Sequence, residues 1–394
     1  MKIGIAFIGS RGIPARYGGN ETFVEELSKK LTHVFDIFVT CESYRFFADS
    51  YQRIKRIHIA SVHKKSVTIP AVNDIIATMY LILRYRNKID IFYYVTSDGA
   101  LSMILPKLLK KIIIVNTDGI EWMRPLIRMK YLNILWKIIC LIASIYLKFA
   151  EWLSVKLSDT VIADSKAIKA YLKKAYGTKK AIFIPYGARK LLDASITCVE
   201  ERDILNEYKL SPGGYYLTVG RIVAENGIHL EIAGFKKSKS SKKLVIVGNF
   251  DERDGYTKYL FRIKGDDPRI IFLSPIYDRK VLGVLRKNCY AYIHAYEVGG
   301  TNPSLLEQML FNSPIIARDV PFHKEILGDC GIYFKDENQL AQSIELLEKN
   351  RFETVKMVKQ QTKRIKEEYN WDIIGRKYEI LFKRLYFARQ RLSK

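Results

Sequence analysis

Residues 294–310 (HAYEVGGTNPSLLEQML) gather within seventeen positions the groups that binding a phosphorylated sugar calls for. The apolar run 290–295 reads as a strand. A turn of Gly299, Gly300, Thr301, Asn302, Pro303 and Ser304 leads into a helix opened by Leu305 and Leu306. The glycines let backbone N–H groups approach a ligand closely, Asn302 or Ser304 is placed to cap the helix, and Pro303 suits its first position. Uncapped amides at the positive end of a helix dipole favour phosphate. Glu307, about one turn further in, is placed to accept a hydrogen bond from a sugar hydroxyl. Taken alone, the segment is also compatible with an ordinary strand–turn–helix junction.

Three other places carry residues able to do chemistry. Val219-Gly220-Arg221 ends a strand, with Glu225-Asn226-Gly227 in the loop behind it. An arginine at a strand's carboxyl end can neutralise a diphosphate leaving group, although a surface salt bridge would use the same residue. Residues 9–19 (GSRGIPARYGG) form a glycine-rich turn after the opening strand. This turn lacks the Lys-Ser/Thr of a Walker loop and the glycine spacing of a dinucleotide fold. Gly18 and Gly19 could bring amides against a phosphate, with Arg11 and Arg16 supplying charge; an ordered surface loop is the alternative. Residues 116–122 (NTDGIEW) end another apolar strand. Asp118 and Glu121 are candidates for acceptor binding or general-base work, and Trp122 offers a face to a sugar ring. A turn and a helix cap would use the same carboxylates. None of the six histidines has metal-ligand spacing, and His294 is the one placed to line a cleft.

The scaffold follows from alternation of apolar runs and helical patterns. Strands are expected at residues 2–8, 35–40, 57–61, 89–95, 111–116, 160–163 and 181–185, with helices at 21–31, 71–85, 132–153 and 166–175. After an acidic, turn-rich stretch a second strand set follows at 215–219, 243–247, 270–273, 290–295, 314–317 and 331–334. Strand–helix alternation predicts doubly wound parallel sheets, in which ligands sit beyond the carboxyl ends of the strands. The expected organisation is two facing Rossmann-like α/β domains with a cleft between them: 1–190, a linker at 191–213, and 214–370. A terminal helix, 371–394, either packs back on the first domain or forms a solvated face.

At 394 residues the chain has room for two cores. Its net charge of +24 is uneven: residues 1–190 hold 31 basic and 14 acidic side chains (+17), and residues 191–394 hold 34 and 27 (+7). A basic first half points to a polyanionic partner, an anionic membrane, nucleic acid or phosphorylated substrate. Five scattered cysteines without a CxxC pair fit neither a zinc site nor a disulfide framework and suit a reducing cytoplasm. The opening MKIGIAFIGS lacks the features of a signal peptide. Residues 132–153 are strongly apolar, but only ten residues lie between Lys137 and Lys148, about 15 Å of helix against a hydrocarbon core of about 30 Å. The segment is therefore either a buried core helix or one lying in a membrane interface with its lysines at the headgroups.

In combination, RYGGNET after the first strand, VGR opening the second half, VGGTNPSLLE and a late NW resemble the GT-B glycosyltransferases of family four. More narrowly, GSRGIPARYGGNETFVEEL and VNTDGIEW resemble the bacterial rhamnosyltransferase branch of cell-wall and capsular polysaccharide assembly. The resemblance covers most of the chain. It implies metal-independent transfer, with retention of anomeric configuration, from a nucleotide-diphosphate sugar (dTDP-rhamnose in that branch) to a lipid-linked, undecaprenyl-type saccharide at the cytoplasmic membrane face. No metal or other cofactor and no nucleic acid is implied. The second half would bind the donor: Arg221 the pyrophosphate, Glu307 the pentose, the amides of Asn302–Leu306 the phosphates, with Asn226, Gly299, Gly300 and Thr301 around them. Gly18 and Gly19 would close over the leaving group. Arg16, Tyr17, Glu121 and Trp122 would serve the acceptor, and Asp118 catalysis.

Two positions depart from the family pattern. Gly299 stands where a glutamate is usual, eight before Glu307, with Glu297 two residues earlier; Asn226 stands where a lysine is usual. A nucleotide-sugar epimerase on the same fold would act on the donor alone and need no basic membrane-facing half. A nucleic-acid binder would need aromatic and basic side chains interleaved as a stacking platform, which the chain lacks.

Overall fold

The computed structural model describes residues 2–15, 18–60, 70–192 and 196–392. It divides into two compact units: Met1–Trp122, Ile145–Gly187 and Asn370–Lys394 form the first, Met123–Ser144 and Ala188–Tyr369 the second. Both are parallel-sheet α/β units.

The first unit holds β1 (Gly4–Ile8), β2 (Asp36–Ser43), β3 (Phe47–Tyr51), β4 (Ile54–Ala60), β5 (Ile91–Tyr94), β6 (Ile112–Thr117), β7 (Thr160–Ala163) and β8 (Ala181–Phe183). The sheet order is β3-β4-β2-β1-β5-β6-β7-β8, with every pair parallel except β3–β4. β1, β5 and β6 are buried throughout, as strands covered by helices on both faces must be. Ile8, Phe92, Tyr94, Ile113 and Val115 pack into one core with Leu81 of the Pro70–Tyr85 helix. The one strand that the sequence pattern does not announce is β3, a half-exposed edge strand without apolar alternation. It turns into β4 through Gln52 and Arg53, which take φ of 48° and 66° where such hairpins usually place Asn-Gly.

The terminal helix, Trp371–Leu392, packs in this unit. Tyr378 hydrogen-bonds Tyr93 at 3.1 Å, Lys30 pairs with Asp372 at 2.5 Å, and Trp371 leaves no room for a Cβ at Gly187.

The second unit holds β9 (Tyr215–Val219), β10 (Lys243–Val247), β11 (Ile270–Leu273), β12 (Ala291–His294), β13 (Ile315–Arg318) and β14 (Ile332–Phe334), in the all-parallel order β11-β10-β9-β12-β13-β14. β9 and β12 are central neighbours, so the loops after their carboxyl ends meet. Residues 191–213, read from sequence as a linker, contain a helix at Cys198–Glu207 with a complete capping box, Thr197 and Glu200. It is tied to its own unit by Glu200–Lys280 and Glu201–Lys287 ion pairs.

The apolar stretch at 132–153 forms a helix, Ile134–Leu157, long and apolar enough to cross a membrane by length and composition. It is not a core helix. Ile134, Leu135, Ile138, Ile142 and Ile145 are each more than half exposed, and only 28% of its most apolar window is buried. At 100° per residue these side chains form one stripe, and Lys137 and Lys148 fall together along one edge of it.

Candidate active site

The site residues of the second unit lie on the loops that follow β9 and β12. Asn302 caps the Pro303–Gln308 helix: its Oδ1 accepts from Ser304 N at 2.9 Å, and its carbonyl accepts from Leu305 N and Leu306 N, both at 3.1 Å. Pro303 has no N–H. The expectation that the amides of Asn302–Leu306 cradle phosphate is thereby corrected, because three of them are spent inside the cap. With only six residues, the helix also has little dipole to offer. The Gly299 and Gly300 N–H groups, the first on a half-buried and the second on a buried residue, have no partner among the described residues, so the unpaired amides lie earlier in the loop. The position of a Cβ at Gly299 is open space.

Ser304 does not face a ligand either. Its hydroxyl donates to Val219 O at 2.9 Å, sits 2.8 Å from the Tyr292 hydroxyl and accepts from Arg286 Nη2 at 2.7 Å. Arg286 has no exposed surface, yet its guanidinium also reaches Ser304 O (3.0 Å), Gln308 Oε1 (3.1 Å) and Glu307 Oε2 (3.3 Å), and it lies over the Tyr292 ring. Glu307 keeps 12% of its side-chain surface exposed. In sequence Arg286 reads as one of two basic residues ending a surface helix, Arg279–Asn288, and only tertiary packing reveals its place.

On the β9 side, the Arg221 side chain is exposed at the strand end. Asn226 is buried, and its Nδ2 donates to Arg221 O at 2.8 Å. It braces the loop from within. Glu225, wholly buried, pairs with Arg128 through both carboxylate oxygens; burial pushes its carboxyl up, but Arg128 outweighs this and holds it below the usual range. Thr218 and Glu231 lie just beneath. Glu231 Oε1 accepts from Ala295 N at 3.1 Å, and burial lifts this carboxyl to about 8. His294, expected to line a cleft, is instead buried between Tyr296 (ring centroids 4.1 Å apart) and His323 (4.8 Å). Burial, with His323 and Arg286 nearby, keeps it neutral.

In the first unit, the glycine-rich turn is tied down by the helix after it, Gly19–Leu31. Glu21 Oε1 accepts from Arg11 N at 3.1 Å, and Glu25 Oε2 accepts from Ala15 N at 2.7 Å. Gly18 caps the helix, its carbonyl accepting from Thr22. A Cβ at Gly18 would lie 3.2 Å from Glu21 Oε2. The turn therefore stands on two carboxylates. Arg16 and Tyr17 lie outside the described residues. Beside the turn, Gly9, Ser10, Thr40, Glu42, Asn73 and Asp74 line a notch of about 30 Å³, where burial, Asp98 and Glu42 raise the Asp74 carboxyl. Asp118 and Glu121 are half-buried. Trp122 donates its indole N–H to Tyr171 at 3.0 Å, and Lys148 lies 4.8 Å from its ring centre. Tyr171 in turn donates to the buried Glu151 at 2.7 Å. Trp122 is thus a held residue with a cation on its ring. Among the described residues no group of three or more His, Cys, Asp or Glu side chains is placed to hold a metal ion.

Known proteins share this architecture. Residues 202–367 match the family described as "Glycosyl transferases group 1", and residues 3–189 match one described as "Domain of unknown function (DUF1972)". An uncharacterized glycosyltransferase, MJ1069, of Methanocaldococcus jannaschii is 26% identical over 93% of this chain and 95% of its own. The O-antigen chain mannosyltransferase RfbU of Salmonella typhimurium is 24% identical over 50% of this chain and 53% of its own. Among solved structures, sucrose-phosphate synthase of Thermosynechococcus elongatus superposes with a TM-score of 0.78 at 17% identity, covering 98% of this chain and 100% of that one. HepE of Anabaena, in complex with UDP-glucose, gives 0.74 at 14% identity, covering 97% and 99%. The chain is a glycosyltransferase with the GT-B fold, and its residues 202–367 match the group 1 glycosyltransferase family.

Proposed function

We propose that the protein transfers a hexose from a nucleotide-diphosphate sugar to a lipid-linked saccharide during cell-surface polysaccharide synthesis. The observation that carries this is the junction of β9 and β12, where the loops after two neighbouring strands carry an exposed arginine, two glycine amides without a partner among the described residues and a partly exposed glutamate. A departing nucleoside diphosphate gathers negative charge that Arg221 and the Gly299–Gly300 amides stabilise, while Glu307 accepts from a sugar hydroxyl. The UDP-glucose complex of HepE supports the donor class. The motifs of residues 9–27 and 115–122 favour L-rhamnose from dTDP-rhamnose, and the absence of a carboxylate at Gly299 suits a sugar with fewer hydroxyls to read. Transfer without a divalent cation and with retention completes the reading. A panel of UDP-, GDP- and dTDP-sugars, assayed for nucleotide release with undecaprenyl-type acceptors in EDTA, tests it. Turnover with dTDP-rhamnose is expected. Release that is independent of any lipid acceptor would favour action on the donor alone.

The acceptor is a membrane lipid, and the enzyme works at the inner face of the cell membrane. Supporting this are the +17 balance of residues 1–190 and the exposed stripe of the Ile134–Leu157 helix with Lys137 and Lys148 along its edge. Such a helix lies in the interface rather than across it. Replacing Ile138, Ile142 and Ile145 by serine is expected to cut sedimentation with anionic liposomes at least about ten-fold. Unchanged sedimentation would remove the helix from the interface.

A further inference from the structure

We propose that Arg286 is the positioning residue of the donor site, a sealed guanidinium that sets Glu307 and ties its helix to the strand end bearing Arg221. The inference rests on the donor reading above. A guanidinium with no exposed surface is costly to bury, and here both terminal nitrogens are matched while Nε has no partner among the described residues. Four of its contacts go to one short helix: Ser304 O, Ser304 Oγ, Gln308 Oε1 and Glu307 Oε2. Six residues cannot hold their own orientation by backbone hydrogen bonds alone.

The second half of the network runs to β9. The Ser304 and Tyr292 hydroxyls, 2.8 Å apart, both lie within hydrogen-bond reach of Val219 O, at 2.9 and 3.1 Å. Val219 is two residues from Arg221. One buried cation therefore fixes the relation between the residue assigned to the pyrophosphate and the residue assigned to the sugar hydroxyl. Its planar fork is what allows this; a lysine in the same place keeps the charge but not the set of directed donors.

Isothermal titration with UDP, GDP and dTDP tests the proposal. For whichever nucleotide wild type binds, Arg286→Lys is expected to weaken affinity about ten-fold or more. In a Glu307→Gln background the same substitution is expected to cost much less, because part of its effect is exerted through that carboxylate. A purely structural role would lower the melting temperature equally in both backgrounds without that coupling. Should Arg286→Lys not fold, Ser304→Ala removes the hydroxyl that joins Arg286 Nη2 to Val219 O and is expected to weaken nucleotide binding several-fold. A folded Arg286→Lys that binds like wild type, or effects that simply add, overturns the proposal while leaving the donor reading intact. A wild-type protein that binds none of the three overturns both.

Discussion

The glycine-rich junctions after β1 and after β12 start from similar sequence and end as electrical opposites. After β1, the loop amides of Arg11 and Ala15 are taken by Glu21 and Glu25 of the following helix. After β12, the helix is held from beneath by Arg286, and the glycine amides ahead of it have no partner among the described residues. A diphosphate brought to the first loop meets a carboxylate floor. Brought to the second, it meets amides over a buried cation, with Arg221 at the adjacent strand end. Two junctions with similar glycine content thus differ in which ligand charge they accept, and the difference lies in the side chains beneath the loop.

The sharpest way to break this contrast is to strip the second junction. Arg221→Ala and Glu307→Ala are each expected to lower turnover by about 10²–10³ without unfolding the protein, the usual cost of losing one preorganised group. Near wild-type turnover in either, measured by nucleotide release, would take that residue out of the site.

Removing Glu25 tests the first junction. Its carboxylate is buried and accepts from Ala15 N, Lys29 and Tyr51; burial raises it, and these partners hold it below the usual range. Glu25→Ala removes the acceptor shared by Ala15 N, Lys29 and Tyr51 and is expected to cost about 2 kcal/mol of stability. It should also open residues 9–19 to proteolysis, yet leave nucleotide affinity unchanged. A loss of nucleotide binding there would erase the distinction between the two loops.

The strands and both glycine junctions were legible in the sequence because buried parallel strands are continuous apolar runs, and turns declare themselves by glycine and proline. β10 and β11 fall where their Val, Ile and Leu residues put them. What escaped was whatever depends on contacts between distant segments. Arg286 looks like a surface residue until Ser304, Glu307 and Gln308 fold over it. Asn226 looks like a donor-facing replacement for lysine until its amide turns inward to Arg221 O. The amides of residues 304–306 looked free because sequence shows that Asn302 can cap, not how many N–H groups the cap consumes. β3 escaped for a local reason, since an edge strand open to water has no apolar face to display.

The smallest effect concerns the support shared by β9 and β12. Thr218 has one hydroxyl proton and two oxygens in reach, Glu231 Oε2 at 2.5 Å and Ile293 O at 3.1 Å. A carboxyl that keeps its own proton resolves this: Glu231 donates to Thr218, and Thr218 donates to the strand. That protonated state agrees with a carboxyl raised by burial to about 8. The unfolded chain releases the proton near the ordinary carboxylate value of 4.5. From there to about pH 8 the folded form binds the extra proton, so this group's stabilising contribution is complete below 4.5 and declines by about 1.4 kcal/mol per pH unit through the window. Glu231→Gln keeps an acceptor for Ala295 N and a donor for Thr218 without a titrating proton. Its melting temperature is therefore expected to gain on wild type as pH rises from 5 to 8, with the gap closing toward pH 5. A gap independent of pH would mean that Glu231 is ionised in the folded protein, and that the floor beneath the β9 and β12 loops carries a negative charge as the first junction does.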